Sequence, residues 1–357
     1  MNARDTRYDT LAPAFRLRVN GAELPQEAVA DVIAVEVLDD VEAAGMCSLR
    51  LKGWDGVAMR VKWMDDALFA EGNPVEVALG YRDRMQPLFD GEIVGLEPDF
   101  PQGEPPTLTV RCFDLRHRLM RERRTHSYLD LQDSDVVREI AEAAGLRVRA
   151  ESSGVRHPYL LQHNQTDFAF IAARAARIGW EFLAEGRTLV FRPRAYDAAP
   201  AVTLRREVEL LQFRPRLSTL GQAPRRSVRG WSPADKQAVL ADARVGDEGG
   251  LMGGAASGGA TVERAFARGG SSVVEQPVHG AEDAGQLARQ GFREMALDYI
   301  RADGTCIGEP QLRAGIVARI EGLGQRFSGD YYLHAVEHRF SPRTGYQTRF
   351  QARRNAS

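Results

Sequence analysis

The stretch between residues 75 and 113 decides the fold class. It contains three short apolar-rich runs, VEVALGY (75–81), LFDGEIVGL (88–96) and TLTVRCF (107–113). Apolar residues alternate with polar or small ones over part of each run, and each run is bounded by Gly, Pro or Asp, which favour turns. Short strands separated by turn signals at this spacing are typical of an all-β barrel or sandwich.

The same pattern continues towards the N-terminus. Apolar and polar residues alternate from Phe15 to Val19, before the turn signal Asn20-Gly21. Two further runs, residues 32–38 and 47–51, have the length of strands. We therefore predict a first β-barrel domain that ends at about residue 118.

Beyond residue 118 the apolar residues take helical spacing. A first helix is predicted to start near Asp133, a residue type that favours N-caps, and to end at Gly145. A second helix is predicted between Thr166 and Gly179, and a hairpin at 180–191 follows it. Together with a short strand after the first helix, these elements predict a small α+β domain.

Strand patterns return after residue 201 but are interrupted. Eleven glycines lie between Gly246 and Gly285, and this density predicts a flexible segment. A long helix is predicted from about Glu282 to Arg301, and three β runs follow it. We interpret the whole as a second barrel that contains a glycine-rich and helical insertion.

The chain is therefore predicted to be mainly β with α+β insertions, and it has two antiparallel β-barrel domains. The tripeptides Gly53-Trp54-Asp55 and Gly230-Trp231-Ser232 occur at comparable places in the two β regions. They are either ordinary strand ends or a sign that the barrels are distant structural copies. The predicted boundaries are 1–13 for an N-terminal arm, 14–118 for the first barrel, 119–200 for the α+β domain, 201–233 and 305–357 for the second barrel, and 234–304 for the insertion.

Charge is nearly balanced overall but uneven along the chain. The 357 residues include 47 Lys and Arg against 49 Asp and Glu, a net charge of −2. A nearly neutral chain disfavours broad nucleic-acid binding, which needs a basic surface. Residues 1–118 carry 13 basic and 21 acidic side chains, a net of −8, whereas residues 119–230 carry 19 and 13, a net of +6. These segments are either solvated faces or the acidic and basic sides of a stacked assembly.

Three cysteines, Cys47, Cys112 and Cys306, lie far apart and form no CxxC pair. An odd number of cysteines is a poor disulfide framework, so we expect assembly in a reducing cytoplasm. The first residues, MNARDTRYDTL, lack an apolar signal-peptide core, so no signal peptide is expected. No run of about 18 apolar residues occurs, so no membrane-spanning helix is expected either.

The histidines do not predict a metal site. His334 and His338 have the spacing of two helical ligands, but they lie on a predicted strand, where four residues span roughly 13 Å. His157 and His163 lack a third ligand at a recognisable spacing. The sequence also lacks a GxSxG elbow, a P-loop and a dinucleotide fingerprint. We therefore predict no catalytic residues, no cofactor-binding residues and no metal ligands.

Basic residues cluster between Arg116 and Arg124, flanked by His117 and His126. Such a cluster could bind nucleic acid or an acidic partner. Aromatic residues do not interleave with the arginines as they do in many single-strand binding sites. A solvated or partner-facing surface is therefore the favoured interpretation.

Five stretches of the chain carry the pattern of one known family, in the same order. They are Gly80–Val94 with Thr109–Asp114, Asp133–Leu146, Gln165–Phe191, Val228–Pro233 and Phe327–Thr348. No single stretch is specific, but five in the right order over residues 14–353 are. They resemble the phage late control gene D family, the tail hub proteins of contractile-tailed phages, and the N-terminal part of VgrG proteins from type VI secretion.

The resemblance implies a structural function in the baseplate of a contractile tail or injection system. Family members have two related β-barrel domains per chain and form homotrimers, so that six barrels surround one axis. Such a ring adapts a hexameric inner tube to a trimeric spike. VgrG-like chains continue into that spike, whereas this sequence stops at Ser357, so the resemblance implies a separate spike protein and other baseplate proteins as partners. It implies neither nucleic-acid specificity nor stable membrane insertion.

Two other classes of function stay open at this point. One is a tail-associated cell-wall hydrolase, and the other is a stand-alone binding module. A hydrolase domain would need a spare segment of about 100 residues, a typical domain size. The insertion is glycine-rich and poor in catalytic residue types, so the sequence disfavours an enzyme.

Overall fold

The computed structural model describes residues 12–82, 84–232, 236–266, 271–275, 278 and 280–357. The predicted N-terminal arm therefore lies almost entirely outside the described residues. The protein is mainly β, as predicted, and its largest element is an antiparallel sheet. The longer helices belong to two smaller units that pack beside this sheet.

Residues 13–114 form the first β region. Its strands alternate buried apolar with exposed polar residues, as in the first strand, where Leu17 and Val19 point inward and Arg16 and Arg18 outward. The core is aliphatic apart from a few rings such as Phe69. The elements are β1 (Pro13–Val19), β2 (Ala22–Glu23), α1 (Gln26–Asp31), β3 (Val32–Asp40), β4 (Met46–Lys52), β5 (Trp54–Asp55), β6 (Arg60–Val61), β7 (Pro74–Tyr81), β8 (Arg84–Asp99) and β9 (Thr107–Asp114), with a 3₁₀ turn at Ala67–Phe69.

The next unit, residues 115–193, contains the two predicted helices, the short strand and the hairpin, and adds two long strands that were not predicted. The added strands pair only with each other, antiparallel. Both helices bury apolar faces in one common core. The elements are a 3₁₀ turn (Leu115–Met120), β10 (Arg123–Gln132), α2 (Asp133–Ala143), β11 (Arg147–Ala150), β12 (Arg156–Thr166), α3 (Asp167–Ile178), β13 (Trp180–Glu185) and β14 (Thr188–Pro193).

Residues 202–357 contain the second β region and the insertion. The second β region comes from both ends of this segment, and the insertion lies between them. The elements are β15 (Val202–Arg205), β16 (Leu210–Leu217), β17 (Arg225–Ser232), β18 (Gln237–Arg244), α4 (Gly258–Phe266), β19 (Ser271–Glu275), α5 (Ala281–Leu297), β20 (Ile300–Ile307), β21 (Ile316–Glu321), α6 (Gly324–Phe327), β22 (Gly329–Ser341) and β23 (Gly345–Arg354).

The two β regions are joined into one 13-stranded sheet through β22 and β3. Strand β22 has 13 residues, which is long enough to pair with two strands along one edge. Its first residues pair with β21, and Ala335–Phe340 pair with Val35–Asp40 of β3. Two closed barrels were predicted, whereas no pairing among the described strands closes either region into a ring.

Strand β17 lies outside the second β region, although it was predicted to belong to it. It is the central strand of a separate three-stranded sheet, between β18 and β19. Val228 on β17 packs in one core with Leu287 and Phe292 of α5. The apolar face of β17 is therefore covered by this helix and not by the second β region. Trp231 lies at the end of β17 in this small sheet, and Trp54 lies in β5, which pairs with β6 in a separate two-stranded sheet. That the two β regions are distant copies stays a prediction.

Helix α5 ends at Leu297, four residues before its predicted end at Arg301. Tyr299 and Ile300 are buried in the core of the second β region rather than on the helix face. Ile300 already begins β20, which pairs with β16 and β23. The second β region thus resumes at residue 300 instead of 305.

The prediction of a flexible glycine-rich segment is wrong over residues 246–258, because this part of it is bound to the C-terminal residues. The N–H of Ser357 donates to the carbonyl oxygen of Ala256 over 3.0 Å. Arg354 Nε donates to the carbonyl oxygen of Met252 over 3.1 Å, and the Met252 side chain is buried. The segment therefore holds the C-terminal strand in place. Residues 234–235, 267–270, 276–277 and 279 of the predicted insertion lie outside the described residues.

Candidate functional site

Both histidines of the pair on β22 contact neighbouring protein groups. His338 is fully buried, with Nδ1 2.8 Å from the Tyr346 hydroxyl and Nε2 2.9 Å from the carbonyl oxygen of Leu312. Burial lowers the pKa of His338 to about 4. His334 lies beside Gln351, with 3.1 Å between Nε2 and Oε1. No group of three or more potential metal ligands occurs in the described part of the chain.

His157 belongs to a buried ionic cluster inside the α+β unit. Its Nε2 lies 3.2 Å from Asp133 Oδ2 and 2.9 Å from Arg174 Nη2. Burial alone would raise the pKa of Asp133, but hydrogen bonds from His157 and Arg174 lower it. The cluster connects α2, β12 and α3, whereas His163 is exposed on the outside. These contacts fix the unit together.

The arginine cluster that follows β9 begins inside the protein. Arg116 is 1% exposed; its Nη2 lies 2.7 Å from Asp114 Oδ2, and its Nη1 donates to the carbonyl oxygen of Phe182 over 2.8 Å. His117 is also buried, with Nε2 2.9 Å from Glu92 Oε2. The prediction of a solvated or partner-facing surface is wrong for these two residues, because both are buried in contact with carboxylates of this chain. Arg116 instead connects the first β region to the α+β unit.

A cleft of about 1180 Å³ opens between α3, α5 and the connection from β16 to β17. Apolar side chains such as Phe170, Leu220 and Met295 line it together with several arginines. A mixture of apolar surface and a few polar groups in a concave site is the common composition of binding clefts. We therefore treat this cleft as the candidate functional site.

Close packing between α3 and α5 sets the width of the cleft. Thr166 caps the N-terminus of α3, and the helix ends at Gly179 with a φ of 68°. A Cβ at Gly179 would lie 1.6 Å from Gln290 Cδ, so only glycine fits against α5 here. Arg177 Nη2 donates to Asp283 Oδ2 over 2.9 Å and adds an ion pair between the two helices. The helices are thus held at a fixed distance.

The acidic groups of the cleft already have cationic partners. Glu294 Oε1 accepts a hydrogen bond from Arg194 Nη1 over 2.7 Å and another from the Tyr196 hydroxyl. Asp298 Oδ1 accepts from Arg301 Nε over 2.9 Å. These carboxylates are therefore compensated within the chain and do not demand a basic ligand.

Two arginines of the cleft are not compensated. Arg226 is half-buried against Gly291, where a Cβ would lie 2.4 Å from its Nε. Neither Arg226 nor the exposed Arg216 makes a hydrogen bond or ion pair with any residue that the structure describes. Burial lowers the pKa of the Arg226 guanidinium. A half-buried cation without a counter-charge favours an anionic group as its partner.

Exposed apolar side chains mark two further surfaces. On the outer face of β10 and β12, Leu129 and Tyr159 stand directly opposite each other and are 66% and 49% exposed. On the outer face of β17 and β18, Trp231 and Leu240 are 57% and 59% exposed. Clusters of exposed apolar residues are typical of protein contact surfaces.

The cleft could not be predicted from the sequence. Its lining residues come from three separated segments between Gln165 and Arg301. Gly179 was recognised, but as a helix end and not as the contact point of two helices. The one available signal was the excess of arginine in residues 119–230, which contains both Arg216 and Arg226.

None of the helices in the described part of the chain combines the length and the apolarity that crossing a membrane requires. A comparison by sequence with curated proteins gives no match.

Solved structures of tail proteins share this fold over nearly the whole chain. The 43 kDa tail protein of prophage MuSo2 from Shewanella oneidensis has 13% identity and a TM-score of 0.72, with 96% of this chain and 98% of that chain covered. The tail protein from Neisseria meningitidis MC58 has 13% identity and a TM-score of 0.67, with 96% of both chains covered.

A third similar structure is the E. coli c3393 protein, with 13% identity, a TM-score of 0.62, and coverage of 96% of this chain and 77% of that chain. That protein is described as a component of the type VI secretion system with structural similarity to the T4 bacteriophage tail proteins gp27 and gp5. The predicted resemblance to tail and type VI proteins is thus confirmed at the level of the fold, whereas membership of the late control gene D family stays a prediction. The family model of the Alg8 N-terminal domain matches residues 9–342, and the chain belongs to that family.

Proposed function

We propose that this chain is the structural central hub in the baseplate of a contractile phage tail or injection system. Three copies would form a ring that adapts the hexameric inner tube to a separate trimeric spike. The observation that carries this proposal is the pairing of β22 with β3, which joins two β regions into one continuous sheet. Three such chains place six β regions around one axis, each acting as one barrel-like module.

The fold likeness to tail proteins supports the proposal, because it extends over 96% of this chain. We keep the predicted division of the chain as part of the proposal, with β17 moved to the insertion and the second β region resuming at residue 300. The partners would be the tube above, the spike below and other baseplate proteins at the sides. The apolar outer faces that carry Leu129 and Trp231 offer surfaces for such contacts.

The charge distribution supports a ring of unlike contacts. A closed ring uses two different patches of each chain, and here residues 1–118 carry a net −8 while residues 119–230 carry a net +6. Each permanent contact is expected to bury at least about 1,000 Å². Because exposed charges are screened by salt, the rate of trimer assembly should fall as ionic strength rises. An assembly rate that does not depend on salt would argue against these segments as opposed contact surfaces.

The proposed function is not catalytic. The buried titratable groups described above, including His338, Asp133 and Glu92, are engaged in contacts that hold elements together. Purified protein incubated with peptidoglycan should therefore release no soluble fragments. Hydrolysis that persists after further purification would favour the tail-associated hydrolase instead.

The mass in solution tests the hub directly. Light scattering after gel filtration should give three times the protomer mass of 39.5 kDa. In electron micrographs of particles, three copies should lie between the tube and the spike. A chain that is a monomer in the assembled particle would contradict the hub and favour a stand-alone binding module.

A further inference from the structure

The cleft between α3 and α5 contains two arginines that have no acidic partner among the described residues. Arg226 is half-buried, lies in a notch opened by Gly291, and has no counter-charge among the described residues. Arg216 lines the same cleft. Apolar side chains such as Leu220, which is 86% exposed, lie beside them. A fitting ligand must therefore bring both acidic groups and an apolar side chain.

The cleft is large for a small anion. Its volume of about 1180 Å³ exceeds the range of about 300–1,000 Å³ that is usual for small-molecule sites. A phosphate ion would fill a small part of it and would leave the apolar wall exposed. A segment of polypeptide matches both the size and the mixed lining.

The same chain carries a segment with the complementary chemistry at the connection from β8 to β9. Residues 97–104, EPDFPQGE, contain three acidic residues and no basic one. Phe100 projects from this connection and is 61% exposed. The pairing of Asp99 with Thr107 fixes the base of the connection, and its prolines restrict the backbone. We name residues 97–104 the acidic tip.

We propose that the cleft between α3 and α5 binds the acidic tip of a second copy of this chain. Phe100 packs against the apolar wall, and Asp99 and Glu104 pair with Arg216 and Arg226. The proposal rests on the proposed ring, because a closed ring needs two different complementary patches on each chain. A pre-organised tip loses little freedom when it binds, which favours association.

A fluorescent peptide tests the cleft separately from the oligomeric state. A labelled peptide of residues 96–105 is titrated with the full-length protein, and binding is followed by fluorescence anisotropy. Arg226→Glu should weaken binding at least tenfold, and a peptide with Phe100→Ser should bind at least tenfold more weakly. Arg229→Glu is the matched control, because Arg229 lies on the opposite face of the same strand and is exposed. Equal binding by wild type and Arg226→Glu overturns the proposal.

Light scattering then tests whether the acidic tip of a second copy of the chain is what occupies the cleft. Arg226→Glu and Asp99→Lys with Glu104→Lys should each reduce the trimer fraction, and a mixture of the two should recover trimers through swapped charges. The circular dichroism spectrum of each variant should match that of wild type, so that loss of folding is recognised; the unfolding midpoint itself depends on association. A trimer that persists in Arg226→Glu overturns this inference and leaves the hub standing. A wild-type chain that is always a monomer overturns both proposals.

Inorganic phosphate is the remaining probe. If phosphate at millimolar concentration binds to wild type but not to Arg226→Glu, and the peptide neither binds nor competes with phosphate, the cleft is a small-anion site and the proposal is wrong. If the peptide displaces phosphate, the proposal is supported.

Discussion

The two β regions share one sheet but bury different kinds of side chain. The core of the first region is aliphatic, and its buried charged groups Glu92 and Asp114 lie towards the α+β unit. The second region buries His338, Glu209 and Arg354 within itself. The first region is continuous in sequence, whereas the second is split by the insertion. Apolar burial is therefore enough where neighbouring strands follow each other in sequence, and polar contacts appear where distant segments must be fixed together.

The origin of those polar contacts supports this interpretation. His338 Nε2 donates to the carbonyl oxygen of Leu312 on the connection before β21, and Arg354 donates to that of Met252 in the glycine-rich segment, 102 residues away. A hydrogen bond to a specific carbonyl group has a direction, whereas apolar packing alone has little. The buried polar groups of the second region therefore specify which segment packs where.

The largest expected effect concerns the polar link at the end of the first region. Arg116→Ala leaves the buried Asp114 carboxylate without its guanidinium, so the free energy of unfolding should fall by about 3–5 kcal/mol. The matched control is Arg111→Ala, which breaks an exposed pair with Glu97 and should cost about 0–1 kcal/mol. Urea denaturation measures both. Similar losses in the two variants would show that Arg116 does not connect the two units.

The next largest effect is a pH dependence of the free energy of unfolding that His338 in the second region causes. The pKa of His338 is about 4 in the folded protein, below its ordinary value of 6.5, because the buried ring cannot hold a charge beside Arg313. The unfolded chain therefore binds a proton that the folded protein excludes. The stability contributed by neutral His338 is complete above pH 6.5 and is lost as the pH falls to 4, by on the order of 3 kcal/mol in total.

Denaturation curves between pH 7 and 4 measure this slope. The ring also faces Tyr346 and Asp39, so the neutral variant His338→Gln separates its contribution from theirs. The variant should lose most of the slope, whereas His163→Gln, at an exposed site, should keep it. Hydrogen exchange should show that β22 and β23 open at acidic pH before β4 and β9. An unchanged slope in His338→Gln would mean that other groups cause the acid sensitivity.

Much of the fold could be predicted from local patterns. The alternation around Val75–Tyr81 and Thr107–Phe113 gave the right strands, because one buried face imposes a period of two. Helices α2 and α3 were predicted with their ends at Gly145 and Gly179, since αL caps have a strong sequence signal. The order of these strands and helices along the chain could therefore be predicted from the sequence.

Contacts between distant segments could not be predicted. Strand β17 has the same local pattern whether it packs on α5 or on the second β region, so its sheet was assigned wrongly. The glycines of residues 246–258 were interpreted as flexible, although Gly254 is needed for the close approach of Ala356. Arg116 gave no sign of burial, because Phe182, whose carbonyl oxygen it binds, is 66 residues away in the sequence. The cleft at Arg226 was missed for the same reason.

A smaller effect tests whether the glycine-rich segment is part of the second region. Gly254→Ala places a Cβ 2.8 Å from the carbonyl carbon of Ala356, so the free energy of unfolding should fall by about 1–2 kcal/mol. Gly95→Ala in β8 is the matched control, because no atom lies within 4 Å of the added Cβ. That change should be neutral or stabilising by about 0.5 kcal/mol. Equal effects would indicate that the segment does not hold the C-terminal strand.

The smallest effect compares one surface ion pair from each region. Arg319 and Asp330 are direct cross-strand partners in β21 and β22, with 2.8 Å between Nε and Oδ1 and 3.1 Å between Nη2 and Oδ2. Arg111 and Glu97 are diagonal neighbours on β9 and β8, since Arg111 stands opposite Gly95. Direct, two-point pairing should give a coupling of about 0.5–1 kcal/mol, and the diagonal pair about 0–0.5 kcal/mol. Double-mutant cycles with alanine measure both couplings, and repeating them in 1 M salt should reduce each one. If the diagonal pair were the stronger, cross-strand register would not be what decides the strength of ion pairs on this sheet.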